Sequence, residues 1–101
     1  ETLVQALTKK IVSLAKLEDK ERLPAAYKSL AAWVDVSDAK FARVTYLHEK
    51  VLGNLGLALA ALNQQISDEA VVRRELLEER AELLDLLGWK SYAEHERLAL
   101  L

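Results

Sequence analysis

Residues 86–101 read LLGWKSYAEHERLALL, and residues 51–66 read VLGNLGLALAALNQQI. Aligned on Gly88 and Gly53, 35 residues apart, both run Leu-Gly and then carry Ala five positions on, at Ala93 and Ala58. A glycine closing an apolar-periodic run stops a helix, because its left-handed conformation carries no Cβ penalty. A small alanine then lets the next helix approach the first closely. A looser version, AKLEDKERLPAAYKSL at residues 15–30, lies about 36 residues earlier with a longer turn. Helix–turn–helix units recurring near roughly 34 residues are the signature of tetratricopeptide-like α-hairpins. The expected fold is therefore all-α, about six helices forming three antiparallel hairpins in a right-handed tetratricopeptide-like superhelix.

Hydrophobic spacing supplies the individual helices. Leu3, Leu7, Ile11 and Leu14 follow i, i+4, i+8, i+11, one face of a helix. Thr2 and Gln5 make a capping box in front of it. Charged residues 18–22 interrupt, and Pro24 suits the first turn of a second helix carrying Tyr27, Leu30, Trp33 and Val34. Ser37 is expected to cap a third helix, with Phe41, Val44, His48, Val51 and Leu52 on its stripe and Gly53 at its end. Leu55, Leu59, Leu62 and Ile66 mark a fourth. Ser67 is expected to cap a fifth, striped by Val72, Leu76, Leu83, Leu84 and Leu87 and stopped by Gly88. Ser91 with Glu94 reads as a capping box opening the sixth. No stretch alternates with period 2 long enough for a strand.

Composition removes several function classes. One hundred and one residues make one domain, residues 1–101. The net charge of −2 and the lack of a Lys/Arg cluster leave no electrostatic footprint for nucleic acid. With no cysteine there is no disulfide, thiolate metal site or thiol nucleophile. No apolar run approaches the roughly 18 residues of a membrane span, so no membrane partner is expected. The absence of methionine, even at position 1, reads as a piece of a longer chain.

The residues that look chemical have structural explanations. His95-Glu96 resembles the start of a zinc-peptidase helix, but a paired imidazole four residues on is replaced by Ala99. His48 lies on the apolar stripe between Val44 and Val51, where a packed histidine outweighs a catalytic base. Asp35 and Asp38 flank Ser37 and suit the positive end of a helix. Glu75, Glu78, Glu79 and Glu82 with Arg73, Arg74 and Arg80 form a charged face, without the Glu-x-x-His pairs of a di-metal bundle. Lys9, Lys10, Arg43, Lys50, Arg73 and Arg80 are offered by the first helices of the units, but Glu49, Glu75 and Glu79 interleave with them. No one-signed peptide clamp results. No catalytic residue, metal ligand or cofactor is therefore assigned. Trp33, Trp89, Tyr46 and His48 are packing or interface candidates, and Gly53, Gly88, Ser37, Ser67 and Ser91 are structural caps.

AAWVDVSDAKF (31–41), YLHEK (46–50), LGLALAALNQQI (55–66) and ELLDLLGWKSYAE (82–94), with the first helix LVQALTKKIVSLAKL (3–17), resemble the C-terminal helical region of the tripeptidyl-peptidase II family. The matching positions are Trp33, Asp35, Asp38, Lys40, Tyr46, His48, Gly56, Leu59, Leu87, Gly88 and Trp89. The resemblance implies a cytosolic, homo-oligomeric, subtilisin-like serine exopeptidase releasing tripeptides from free N-termini of oligopeptides. The family's catalytic Ser, His and Asp lie far upstream and have no counterpart here. This chain is then expected to be a non-catalytic C-terminal domain whose partners are other domains and subunits of its parent. Residues 76–100 alone are also similar to a helical stretch of thimet-type metallo-oligopeptidases, before their zinc motif. A third reading is an independent helical-repeat module that binds a peptide or protein in its groove.

Overall fold

The computed structural model describes residues 2–101. Among them are six α-helices, α1 (Leu3–Lys16), α2 (Arg22–Ala31), α3 (Ala42–Leu52), α4 (Leu55–Asp68), α5 (Arg74–Leu86) and α6 (Lys90–Ala99), plus a 3-10 turn over Ala39–Phe41. No strand occurs among the described residues. Each odd-numbered helix packs on its successor, giving pairs α1/α2, α3/α4 and α5/α6. Further contacts of α3 with α1 and α2, and of α4 with α5, join the pairs into one body of about 41 × 30 × 19 Å.

One hydrogen-bonded turn closes all three pairs. Gly88 has φ +84. Its N–H donates to the Asp85 carbonyl at 3.0 Å, the Trp89 N–H to Leu84 at 2.8 Å, and the Trp89 carbonyl accepts from Ala93 at 3.0 Å. Gly53, with φ +85, repeats the pattern through Lys50, Glu49, Asn54 and Ala58. The first pair uses the same bonds 35 residues earlier, through Ala15, Leu14, Asp19 and Leu23, and there the left-handed residue is Glu18, with φ +51. The longer turn expected from residues 15–30 is found: it closes with the same bonds around Glu18, but residues 17–21 separate α1 from α2, against residues 53–54 and 87–89 in the other pairs. Each is a Schellman closure, which satisfies the helix's last carbonyls while reversing the chain.

The repeat sets the core. Ile11, Tyr46 and Ala81 occupy one position in successive units and are buried, as are Leu23, Ala58 and Ala93. Ile11, Leu14, Leu23, Ala26, Leu30 and Val44 form one apolar cluster between the first pair and α3. Tyr46, Ala58, Ala61, Leu62, Leu76 and Leu83 form a second between α3, α4 and α5. From α6 only Ala93 is buried. The last unit thus presents most of its second helix outward.

Thr2 and Gln5 form their reciprocal capping box, at 2.9 and 3.1 Å. The serine caps are different. Asp38, not Ser37, caps the 3-10 turn by accepting the Lys40 N–H at 3.1 Å, because the Ser37 hydroxyl is spent on Asp35. Ser67 lies inside α4, which continues to Asp68 because no Gly or Pro intervenes, and α5 starts instead after Arg73 without a side-chain cap. Ser91 lies inside α6, which begins directly after Trp89. The turn leaves no room for a separate capping residue, since the Trp89 carbonyl already accepts the Ala93 N–H. The second helix also ends earlier than its stripe implied. Trp33 and Val34 lie beyond Ala31, where Asp35 accepts the Ser37 N–H at 3.0 Å and turns the chain. Leu3 and Val72, counted on buried stripes, are exposed.

A Cβ built at Gly53 or Gly88 meets no atom within 4 Å, so substitution there is opposed by backbone conformation alone. Gly88→Ala should therefore cost on the order of 1 kcal/mol. Glu18→Gly should move the other way by about 0.5 kcal/mol, the relief of left-handed strain exceeding the added freedom of the unfolded chain. Urea denaturation of the two variants checks both signs; a Gly88→Ala protein as stable as its parent refutes the assignment.

Candidate functional site

Two polar clusters tie the pairs together. On the first, the Arg43 guanidinium of α3 donates to both oxygens of Glu79 on α5, at 2.7 and 2.9 Å. Lys50 of α3 reaches Glu82 of α5 at 3.4 Å. Bidentate geometry gives direction as well as attraction, and both carboxylates lie on the charged face seen in the sequence. Between these bridges the Tyr46 ring is fully buried, with Arg43 at 5.1 Å and Lys50 at 5.8 Å from its centroid. Its hydroxyl has no aligned hydrogen-bond partner among the described residues. Burial pushes the Tyr46 phenol above the ordinary tyrosine range, the Glu79 carboxylate adds to this, and the nearby Lys50 and Arg43 oppose it. Arg43 is held above its ordinary value by its hydrogen bond to Glu79.

The second cluster joins the first two pairs. The His48 ring stacks on Tyr27 of α2 with centroids 4.0 Å apart and planes 11° from parallel. Its Nδ1 lies 2.9 Å from Glu49, whose other oxygen accepts from Asn54 at 2.8 Å. The Tyr27 and Thr45 hydroxyls are 2.9 Å apart, and Thr45 donates to the Val36 carbonyl at 3.3 Å. The Gln64 carboxamide donates to Ser37 at 3.0 Å and fastens the loop to α4. Every partner of His48 here is structural: an aromatic face and a neighbouring carboxylate.

A cleft of about 640 Å³ opens between α4, α5 and α6. Leu59 and Leu84 line its apolar part. Arg80 crosses it, donating to Asn63 at 3.1 Å and pairing with Glu96 at 2.8 Å, while its Nε is buried without a partner among the described residues. Trp89 and Tyr92 form one wall, their rings 6.3 Å apart and tilted by 59°. They are 53% and 69% exposed, which makes them the part of this cleft that folding does not consume.

Of the candidates read from the sequence, Tyr46 and His48 are buried packing residues and Trp89 lines the cleft. Trp33 stands 67% exposed outside it. Gly88 shares the cleft with Trp89 as a turn. Arg80, Asn63 and Tyr92 were not singled out as a site by sequence. The available signal was the i, i+3 spacing of Trp89 and Tyr92, which puts both rings on one helical face. Among the described residues no group of three or more His, Cys, Asp or Glu is placed to hold a metal ion. No helix among them is long and apolar enough to cross a membrane.

Tyr46→Phe should raise stability at neutral pH by less than about 1 kcal/mol, because the buried hydroxyl it removes has no aligned partner although the Lys50 ammonium lies beside it. A raised phenol value also means that the contribution of neutral Tyr46 is complete below about pH 10 and is lost as pH rises through its folded value. Denaturation between pH 7 and pH 11 should therefore show the advantage of the Phe variant widening in alkali. A Phe variant that is less stable at neutral pH would reveal a partner for the hydroxyl.

The chain is 30% identical over 111 residues to tripeptidyl-peptidase 2 of Arabidopsis thaliana, covering 94% of this chain and 8% of that protein. It is also 30% identical over 107 residues to tripeptidyl-peptidase 2 of Oryza sativa subsp. japonica, with the same two coverages. No family model matches, and no solved structure matches. The chain thus spans under a tenth of the length of these curated relatives, and the similarity runs through nearly all of its six helices. It belongs to the tripeptidyl-peptidase II family.

Proposed function

We propose that this chain is a non-catalytic helical assembly domain of a tripeptidyl-peptidase II-like serine exopeptidase, placed toward the C-terminal end of its parent. The parent is then a cytosolic, homo-oligomeric enzyme that releases tripeptides from the N-termini of oligopeptides. In this reading the three helix pairs are antiparallel hairpins of a right-handed tetratricopeptide-like superhelix. Its role is to brace neighbouring domains or subunits.

The observation that carries the reading is the division of labour among side chains. Arg43, Lys50, Arg80 and Arg97 are engaged by Glu79, Glu82, Glu96 and Asp85 within the fold. His48 is consumed by Tyr27 and Glu49. Among the outward residues of the last pair are large apolar or aromatic ones: Trp89 at 53%, Tyr92 at 69% and Leu98 at 60% exposure. A helical repeat buries the open face of each unit on the next, so a terminal face this apolar suits coverage by a neighbour.

In the full-length parent, Trp89→Ala combined with Tyr92→Ser should lower the assembled fraction at a given protomer concentration. The kcat/KM of each correctly folded protomer on a tripeptide-releasing substrate should stay within about twofold, because no substrate contact is removed. Analytical ultracentrifugation with parallel activity assays separates the two quantities. Unchanged assembly with lost activity would replace the assembly role with a part in substrate handling.

A further inference from the structure

The cleft between α4, α5 and α6 differs in charge from the rest of the molecule. The chain as a whole carries −2. The one carboxylate lining this cleft, Glu96, is taken by Arg80 at 2.8 Å. Lys90 and His95 also line it, and neither has an ion-pair partner among the described residues. The acid on which Lys90 acts, Asp85, is engaged by Arg97. The cleft therefore keeps an ammonium outside any ion pair, and an imidazole, beside two exposed aromatic rings. A second depression, of about 600 Å³ at the ends of α1, α3 and α5, behaves oppositely. Lys20 and Lys50 face Glu18 and Glu82 across it, and Lys50 and Glu82 already pair at 3.4 Å. Its two lysines and two glutamates sum to no net charge. Trp33 is exposed but lines neither depression.

We propose that the α4–α5–α6 cleft docks an extended polypeptide segment that places a bulky apolar side chain beside a carboxylate. The apolar side chain enters against Leu59 and Leu84, between them and the Trp89 and Tyr92 rings. Tilted aromatic pairs bury large area at little entropic cost, which makes them natural anchors. The neighbouring carboxylate meets Lys90. The cleft volume of about 640 Å³ suits one or two side chains rather than a whole helix. Arg80 contributes indirectly: bonded to Asn63 and Glu96, it holds α4, α5 and α6 at the spacing the cleft needs. The inference deepens the assembly reading by naming the chemistry of the docked segment, and it can fail independently of that reading.

Trp33→Phe leaves Trp89 as the sole tryptophan of the 101-residue chain and a reporter within the cleft. The probe is the acetylated, amidated hexapeptide Gly-Glu-Phe-Asp-Leu-Gly, with Gly-Lys-Phe-Lys-Leu-Gly as its charge-reversed control. Titration should give a saturable Trp89 emission change with a Kd of about 100 μM. The basic control should bind at least about tenfold more weakly, and added salt should narrow that difference. Lys90→Glu should weaken the acidic peptide by about tenfold and improve the basic one. Because an acid is favourable in the first turn of a helix, this variant should keep the parent's circular dichroism. Tyr92→Ser should weaken both peptides. No saturation up to about 2 mM, or equal binding of the two peptides, overturns the proposal. If that failure coincides with loss of parent assembly in the Trp89 and Tyr92 variants, the assembly reading stands and only the acidic–apolar segment falls.

Discussion

A left-handed residue every 35 positions, at Glu18, Gly53 and Gly88, is the constraint on which the rest of this structure depends. Each turns one helix into the next with the same three backbone hydrogen bonds. The helix's terminal carbonyls are satisfied by the residues that reverse the chain, so two or three residues suffice between the helices of the second and third pairs, against five in the first. Fixed closure also fixes register. Ile11, Tyr46 and Ala81 become equivalent buried positions despite their different sizes, and Leu23, Ala58 and Ala93 meet them from the second helices. Where a first helix offers tyrosine, its pair offers alanine at 58 and 61, so volume is exchanged across the pair at constant spacing.

The pairs are not joined alike. Between the first two, Leu30 packs with Val44 and the Tyr27 ring lies flat on His48, so the seam is apolar and aromatic. Between the second and third, α4 and α5 share the apolar contact, while α3 and α5 are spanned by Arg43–Glu79 and Lys50–Glu82. Long charged side chains bridge a gap that short apolar ones do not, and their partial exposure limits each bridge to about 1 kcal/mol or less. Beyond α5 only Ala93 of α6 is buried, with Arg97–Asp85 and Arg80–Glu96 holding the helix by charge. Apolar burial is thus thinnest at α6. In a one-dimensional array, where each unit rests on its neighbours, the last pair is the one expected to open first.

Much of this was legible because helix punctuation is local. Gly53 and Gly88 follow periodic apolar runs, and a residue without Cβ there has a direct conformational meaning. Glu18 has the same backbone but hides it, since a glutamate does not advertise positive φ. Its connection is longer, as the sequence implies, because α2 begins only at Arg22. The serine caps failed for the opposite reason. Ser37, Ser67 and Ser91 have the right side chain, but a cap also needs the helix to begin at that residue. After Gly88 only Trp89 precedes α6, so at Ser91 the helix has already begun. Trp33 was placed on a helix that Asp35 ends early by accepting the Ser37 N–H. Arg80, Asn63 and Glu96 come from three helices, so their meeting needs the tertiary arrangement and no sequence window contains it.

The residue just after the left-handed position shows how one scaffold is put to different uses. Asp19, Asn54 and Trp89 are equivalent: each donates its N–H to the helix before and accepts from the helix after. At Asp19 the side chain accepts the N–H groups of Glu21 and Arg22, at 3.2 and 3.0 Å. At Asn54 it donates to Glu49 at 2.8 Å, extending the network that reaches His48. In both copies the side chain strengthens its own turn or the helix it leaves. Trp89 has no acceptor with which to copy Asp19, and the backbone of its turn closes without help. The ring instead stands half exposed beside Leu84 and Tyr92. Because the hydrogen bonds of the turn are backbone bonds, they tolerate this exchange. The same three-bond closure therefore frees one side chain, at the outer end of the array, to face whatever the last helix pair meets.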